Sequence, residues 1–115
     1  MHLIIDGYVS DPKKTKETNF IYHFLDTYPQ QIEMTKVSTP QVSEYDLQEQ
    51  GISGFVLLAE SHISIHVFPE QSYVNIDIFS CTEFDTDKAA ARLEQRFGLT
   101  NVKTCILDRP HPGIV

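Results

Sequence analysis

The feature that most limits what this chain can become is a two-residue alternation that runs from His62 to Phe79. Ile63, Ile65 and Val67 alternate with His62, Ser64 and His66; after a short break, Val74, Ile76 and Ile78 alternate with Tyr73, Asn75, Asp77 and Phe79. A period of two places the branched residues on one face of a strand and the polar ones on the other, and a helix does not produce it. Pro69, Glu70, Gln71 and Ser72 break the pattern with a residue that cannot donate to a ladder, so the stretch predicts a hairpin with Phe68 opposite Tyr73. Counting from that pair puts His66 opposite Asn75, Ser64 opposite Asp77, His62 opposite Phe79 and Glu60 opposite Cys81, all on the face away from the isoleucines.

An antiparallel sheet commonly buries one face and wets the other, which alone would account for the polar side. Against that plain reading stands Glu60-Ser61-His62 at the head of the strand, with His66 further along and Cys81 folded back across from the bond between Glu60 and Ser61. The arrangement predicts a hydroxyl, possible bases and a thiol around one peptide bond. His62 and His66 do not read as a metal pair, because four residues of strand span about 13 Å at roughly 3.3 Å each, too far for two imidazoles to share one ion.

Upstream, Gly51-Ile52-Ser53-Gly54 precedes a predicted strand over 55–59. Its glycines allow either a tight turn or a close approach of another group. The run Ala59-Glu60-Ser61-His62-Ile63-Ser64-Ile65-His66, then Pro69-Glu70, Tyr73, and Asp77-Ile78-Phe79-Ser80-Cys81, together with that glycine-flanked serine, resembles the prokaryotic S-adenosylmethionine decarboxylase proenzyme family. About a quarter of the chain carries the resemblance closely. The flanks match only in element order and in the His2-Leu3 start.

The resemblance implies a self-processing enzyme with a pyruvoyl group made from its own chain. The Ser61 hydroxyl would attack the preceding carbonyl, the resulting ester would be cut by β-elimination, and Glu60 would become the carboxyl end of the first fragment. It also implies that His66 and Ser53 assist cleavage, that the Ser61-derived pyruvoyl group holds the substrate amine as a Schiff base, and that Cys81 returns the proton after carbon dioxide leaves. A thiol suits that last role because it is protonated near neutral pH and still able to donate. Taken without the resemblance, Cys81 is a small buried hydrophobe.

Family members pair as homodimers of cleaved chains with sites shared between protomers. They supply decarboxylated S-adenosylmethionine for spermidine synthesis. For the substrate, the resemblance points to Glu70 for the ribose and to Phe68 and Leu47 for the base. Phe68 stands where the family usually has tryptophan, Leu47 where it has an aromatic residue, Glu49 where it has proline, and Thr82 where it has glycine. An adenine ring gains about 0.5–1.5 kcal/mol from an aromatic partner beyond simple burial, and Leu47 offers no such face. Two alternatives stay open beside S-adenosylmethionine: a pyruvoyl-dependent decarboxylase of arginine or ornithine, and a non-processing homologue serving as a binding or structural subunit.

The remaining chain reads as support. A strand begins at Leu3-Ile4-Ile5 and ends near Val9, and Asp11 before Pro12 reads as a helix start. Phe20, Ile21, Phe24 and Leu25 give an inward helical stripe within 16–28, with His23 on the surface and Pro29-Gln30-Gln31 as the stop. A second strand is expected over 32–37, and a polar loop with a possible short strand over 38–49. After Cys81, Thr82 to Asp87 supplies caps and first-turn acids for a helix with Ala89, Ala90, Leu93 and Phe97 inward and Gly98 at its end. Val102 to Leu107 forms a last strand, followed by an extended Pro110-His111-Pro112-Gly113 tail; Cys105 is given no chemistry. The sum is an α+β two-layer sandwich: a mostly antiparallel sheet with two helices on the isoleucine face and the candidate site on the other.

With 115 residues, 41% of them hydrophobic, the chain predicts one domain, small for a deep private pocket, so a site between subunits is expected. A net charge of −7 and a pI near 5.0 exclude a basic nucleic-acid stripe, and no apolar span reads as a membrane segment. With no signal-peptide pattern at Met1, the reading is cytoplasmic, with Cys81 and Cys105 as free thiols.

Overall fold

A computed structural model describes residues 1–109, so the expected tail over 110–113 lies outside the described residues. Six strands, β1 (His2–Val9), β2 (Gln41–Asp46), β3 (Gln50–Leu58), β4 (Ser61–Phe68), β5 (Tyr73–Ser80) and β6 (Leu99–Leu107), form one sheet in the order β2-β3-β4-β5-β1-β6. Every neighbouring pair is antiparallel. Two helices, α1 (Thr18–Gln31) and α2 (Thr86–Phe97), cover one face, as the α+β sandwich reading expects.

The alternation at the centre of the sequence becomes the core. Ile63, Ile65, Val67, Val74, Ile76 and Ile78 are buried with Leu3 and Ile5 against Ile21, Phe24, Leu25 and Tyr28 of α1 and Ala89, Leu93 and Phe97 of α2. Phe24 packs edge-on to Phe97 with centroids 4.7 Å apart. The Tyr28 hydroxyl donates to the Ala89 carbonyl at 2.7 Å, and Arg96 donates to the Thr27 hydroxyl at 3.0 Å. Burial pushes the Tyr28 phenol far above its usual range, with the Arg96 guanidinium pulling it partly back.

Several boundaries differ from the sequence reading. Asp11 caps a separate 3-10 turn at Pro12–Thr15, accepting from Lys13 N–H at 3.1 Å, and α1 starts independently at Thr18. α1 does close within the expected stop, at Gln31, with Pro29 in its last turn and the Pro29 carbonyl taking the closing bonds from Ile32 and Met34. The strand expected over 32–37 is not one: Glu33 turns left-handed at φ 61°, and only 35–37 lies along the end of β3, through Val37 N–H to Leu57 O and Ala59 N–H to Thr35 O. β2, Gln41–Asp46, is the short strand allowed for within the polar stretch 38–49, and β6 begins three residues before Val102, at Leu99.

Gly51 and Gly54 lie within β3, not in a turn. The close-approach reading holds: a Cβ on Gly54 would come 2.8 Å from Leu25 Cδ1, and one on Gly51 would strike the Tyr45 ring. No helix among the described residues is long and apolar enough to cross a membrane.

Candidate active site

The hairpin register is the one expected from counting. Phe68 pairs with Tyr73, His66 with Asn75, Ser64 with Asp77, His62 with Phe79 and Ser61 with Ser80, which leaves Glu60 facing Cys81. The face away from the helices therefore carries His62, Ser64, His66 and Phe68 of β4, and Ser53, Phe55 and Leu57 of β3 paired beside them. On the far side, β1 contributes His2 and Asp6, whose partners His2–Asp77 and Asn75–Asp6 are tied at 2.9 and 2.6 Å.

At one end of this face β3 turns into β4 through only Ala59 and Glu60, since Leu58 already pairs with Ser61. Tight hairpins ordinarily place positive φ at the first or at both loop residues, usually on glycine or asparagine. Here the second loop residue, Glu60, carries φ 58°. A side chain in that region costs about 1–2 kcal/mol, and the cost falls on the residue whose carbonyl precedes Ser61.

That carbonyl is also polarised: the Cys81 backbone N–H donates to Glu60 O at 3.0 Å. A donor held on an oxygen where negative charge develops is the geometry of an oxyanion site. The Ser61 hydroxyl donates to Ser80 Oγ at 3.1 Å and lies 3.3 Å from Ala59 O. Next along the face, Phe79 is bracketed by His62, the edge of His2 and the Arg109 guanidinium, which lies 4.7 Å from the ring centre.

The second group sits at the other end. Ser53 Oγ is 2.8 Å from His66 Nδ1, and the Tyr45 hydroxyl reaches Ser53 Oγ at 3.2 Å from the edge strand. Gly51 leaves the space that the Tyr45 ring fills. A cleft of about 240 Å³ lined by Gln41, Ser43, Ser53, Phe55, Ser64 and His66 opens here. Beyond it, Tyr8, Glu49, Phe68, Gln71, Tyr73 and Asn75 line another of about 290 Å³. Glu70 is exposed in the 3-10 turn after β4, and Leu47 stands 84% exposed in the turn before β3.

The structure thus corrects one expectation. Ser61, Glu60 and Cys81 come together, but His66 and Ser53 do not join them within the chain. Five residues of strand separate His66 from Ser61, about 16 Å at roughly 3.3 Å each. Sequence reading also missed Ser80 and Tyr45. Ser80 had a signal: it continues the inward register of Val74, Ile76 and Ile78, where a hydroxyl must find a partner. Tyr45 had none, because its strand is exposed along nearly its whole length.

The similarity of this chain to known proteins runs through both groups. A family model described as S-adenosylmethionine decarboxylase matches residues 1–110. The S-adenosylmethionine decarboxylase proenzyme of Thermoplasma volcanium is 36% identical over 105 residues, covering 90% of this chain and 78% of the relative. The proenzyme of the same name from Clostridium botulinum strain Loch Maree is 32% identical over 95 residues, 82% of this chain and 79% of its own. In fold, the crystal structure of the adenosylmethionine decarboxylase from Aquifex aeolicus VF5 superposes with a TM-score of 0.77 at 24% identity, covering 99% of this chain and 92% of that one. With the whole sheet and both helices inside the matched residues, the chain belongs to the S-adenosylmethionine decarboxylase family of carboxy-lyases.

Proposed function

We propose that this chain is a self-processing, pyruvoyl-dependent S-adenosylmethionine decarboxylase cleaved between Glu60 and Ser61. The observation that carries the reading is the state of that bond: left-handed Glu60, its carbonyl held by the Cys81 N–H, and the Ser61 hydroxyl beside it. Attack of Ser61 Oγ on the Glu60 carbonyl carbon forms an ester and frees the Ser61 nitrogen. Removal of the Ser61 α-proton then expels the Glu60 carboxylate, and hydrolysis of the resulting enamine releases ammonia. Conversion of Ser61 fits the residues around it, since its hydroxyl is held by Ser80 Oγ and the carbonyl it would attack by the Cys81 N–H. Once formed, the pyruvoyl group would supply an electron sink for decarboxylation.

The chain's own residues divide the remaining work. To Cys81, half-buried one position past Ser80 and tied by its backbone N–H to the Glu60 carbonyl, we assign the return of the proton after decarboxylation. His66 offers a ring nitrogen to take the α-proton, its imidazole oriented by Ser53. At about 16 Å along the strand it reaches the head of β4 only from a second copy laid across the outer face in the opposite sense, because the Ser61 side chain shares the inward register of Ser80. The exposed Phe55, Leu57 and Tyr8 on that face supply apolar area for such a homodimer. In it, the Phe68 and Glu70 end of one chain meets the Ser61 end of the other and forms the substrate cleft.

A second substrate reading has its own support. Leu47 gives adenine no flat face, while the cleft at Phe68 is lined by Glu49 together with Tyr8 and Tyr73, whose rings lie 4.9 Å apart. A carboxylate among aromatic rings suits a cationic side chain, as in arginine or ornithine. Carbon dioxide release from each of the three amino acids by the cleaved protein separates the readings: release from S-adenosylmethionine alone supports the first, and release only from arginine or ornithine overturns it.

A further inference from the structure

We propose that Ser80 and Thr82 form a hydroxyl relay that takes the proton from Ser61 Oγ during self-cleavage and delivers it to solvent. The proposal rests on the self-processing reading and deepens it by naming the first proton acceptor.

Beside Tyr28, whose hydroxyl is taken up by the Ala89 carbonyl, Thr15 and Ser80 are the buried hydroxyl residues among those described. Thr15 is explained by the fold, since its hydroxyl donates to the Pro12 carbonyl at 2.8 Å. Ser80, 2% exposed, instead holds its hydroxyl among other hydroxyls. It accepts from Ser61 Oγ at 3.1 Å and from Thr82 N–H at 3.2 Å, and it lies 3.2 Å from Thr82 Oγ1.

A hydroxyl has one donor and two acceptor sites. With both acceptor sites of Ser80 filled by Ser61 and the Thr82 amide, its own proton points to Thr82 Oγ1. Thr82 is exposed, so its hydroxyl passes a proton on to water. With the Ser61 proton on Ser80, its shorter contact, the donor count gives the order Ser61, Ser80, Thr82, water. The other oxygen near Ser61, the Ala59 carbonyl at 3.3 Å, can hold the proton but has none to hand on.

The relay answers a need that the fold creates, because His66 of the same chain stands about 16 Å from Ser61 along the strand. In the step, the Ser61 O–H bond breaks, Oγ bonds to the Glu60 carbonyl carbon, and the bond from that carbon to the Ser61 nitrogen breaks. The nitrogen takes a proton from water, balancing the one that leaves through Thr82. The products are an ester and a free amino group.

The test follows cleavage by intact mass in the full chain made by cell-free synthesis. Thr82 is exposed, so Thr82→Val removes the outlet hydroxyl without disturbing the core, and Thr82→Ser keeps it. The expected result is cleavage about tenfold slower in T82V and unchanged in T82S, with Ser80→Ala slower by about a hundredfold, the usual scale for a lost proton acceptor. Hydroxylamine, which cuts an accumulated ester, should leave S80A uncleaved because the block precedes the ester. Equal rates for T82V and T82S, or hydroxylamine cleavage of S80A after Glu60, would overturn the relay while the parent still processes. A parent chain that never cleaves would instead overturn the self-processing reading and the relay with it.

Discussion

The separation of Ser61 from His66 makes a quantitative prediction about chains that are individually inactive. Five residues of strand place His66 about 16 Å from Ser61, whereas proton transfer needs heavy atoms within about 3 Å or one bridging water. A chain carrying His66→Ala keeps its own Ser61 and depends on a partner for the imidazole; a chain carrying Ser61→Ala keeps His66 and cannot be cut. Co-expressed in equal amounts and paired at random in two-fold dimers, about half of the His66→Ala chains sit beside a Ser61→Ala partner. The account therefore expects about half of the His66→Ala chains to be cleaved in the mixture and almost none when that variant is made alone, the missing base costing about 10²- to 10⁴-fold. Different terminal tags and intact-mass measurement read out each chain separately. Raising the share of Ser61→Ala chains should drive the His66→Ala fraction toward full cleavage. Cleavage of His66→Ala alone at the parental rate, or a mixture that cleaves no more than the single variant, would refute the reasoning.

Other consequences are local. Glu60→Gly relieves the left-handed residue; if its cost of about 1–2 kcal/mol is released on the way to cleavage, processing slows about five- to thirtyfold, read by the same mass assay, with unchanged kinetics ruling out stored strain. Gly54→Ala brings a methyl 2.8 Å from Leu25 Cδ1 and 3.0 Å from the Gln41 carbonyl, and should cost about 1–3 kcal/mol, lowering Tm by roughly 5–15 °C in a thermal melt. Burial raises the Tyr28 phenol above its unfolded value, so its contribution is complete below about pH 10 and is lost as pH climbs past it, when only the unfolded chain ionises readily. Tyr28→Phe should therefore flatten the alkaline fall in stability, while costing about 1 kcal/mol at neutral pH through the lost bond to Ala89.

The legible part of the sequence is the part where burial is one-sided. From His62 to Phe79 every inward position is Ile or Val, so period, faces and register could be counted, and the pairing of Glu60 with Cys81 followed. β2 is marked only as a possible short strand within 38–49 for the opposite reason: Gln41–Asp46 is an edge strand exposed except at Val42, which packs against the core, so no alternation runs along it. The helix stop read over Pro29-Gln30-Gln31 stands, with Pro29 tolerated in the final turn because its carbonyl is satisfied by Ile32 and Met34. For the site, identities along one strand put Ser61 and Cys81 beside the bond between Glu60 and Ser61, where the structure also has them. They overstated how close His66 could come, because adjacency in sequence along an extended chain is distance in space. Ser80 and Tyr45 needed coordinates: one is a hydroxyl in an apolar register, the other a ring reaching over a glycine from a neighbouring strand.

The central claim concerns one peptide bond, and intact-mass spectrometry of the purified, folded protein tests it most directly. The account predicts two fragments, residues 1–60 ending in the Glu60 carboxylate and a second beginning at position 61, blocked at its amino end and lighter by one ammonia than the unmodified sequence. A single species at the mass of the full chain, in protein that melts cooperatively, would contradict it.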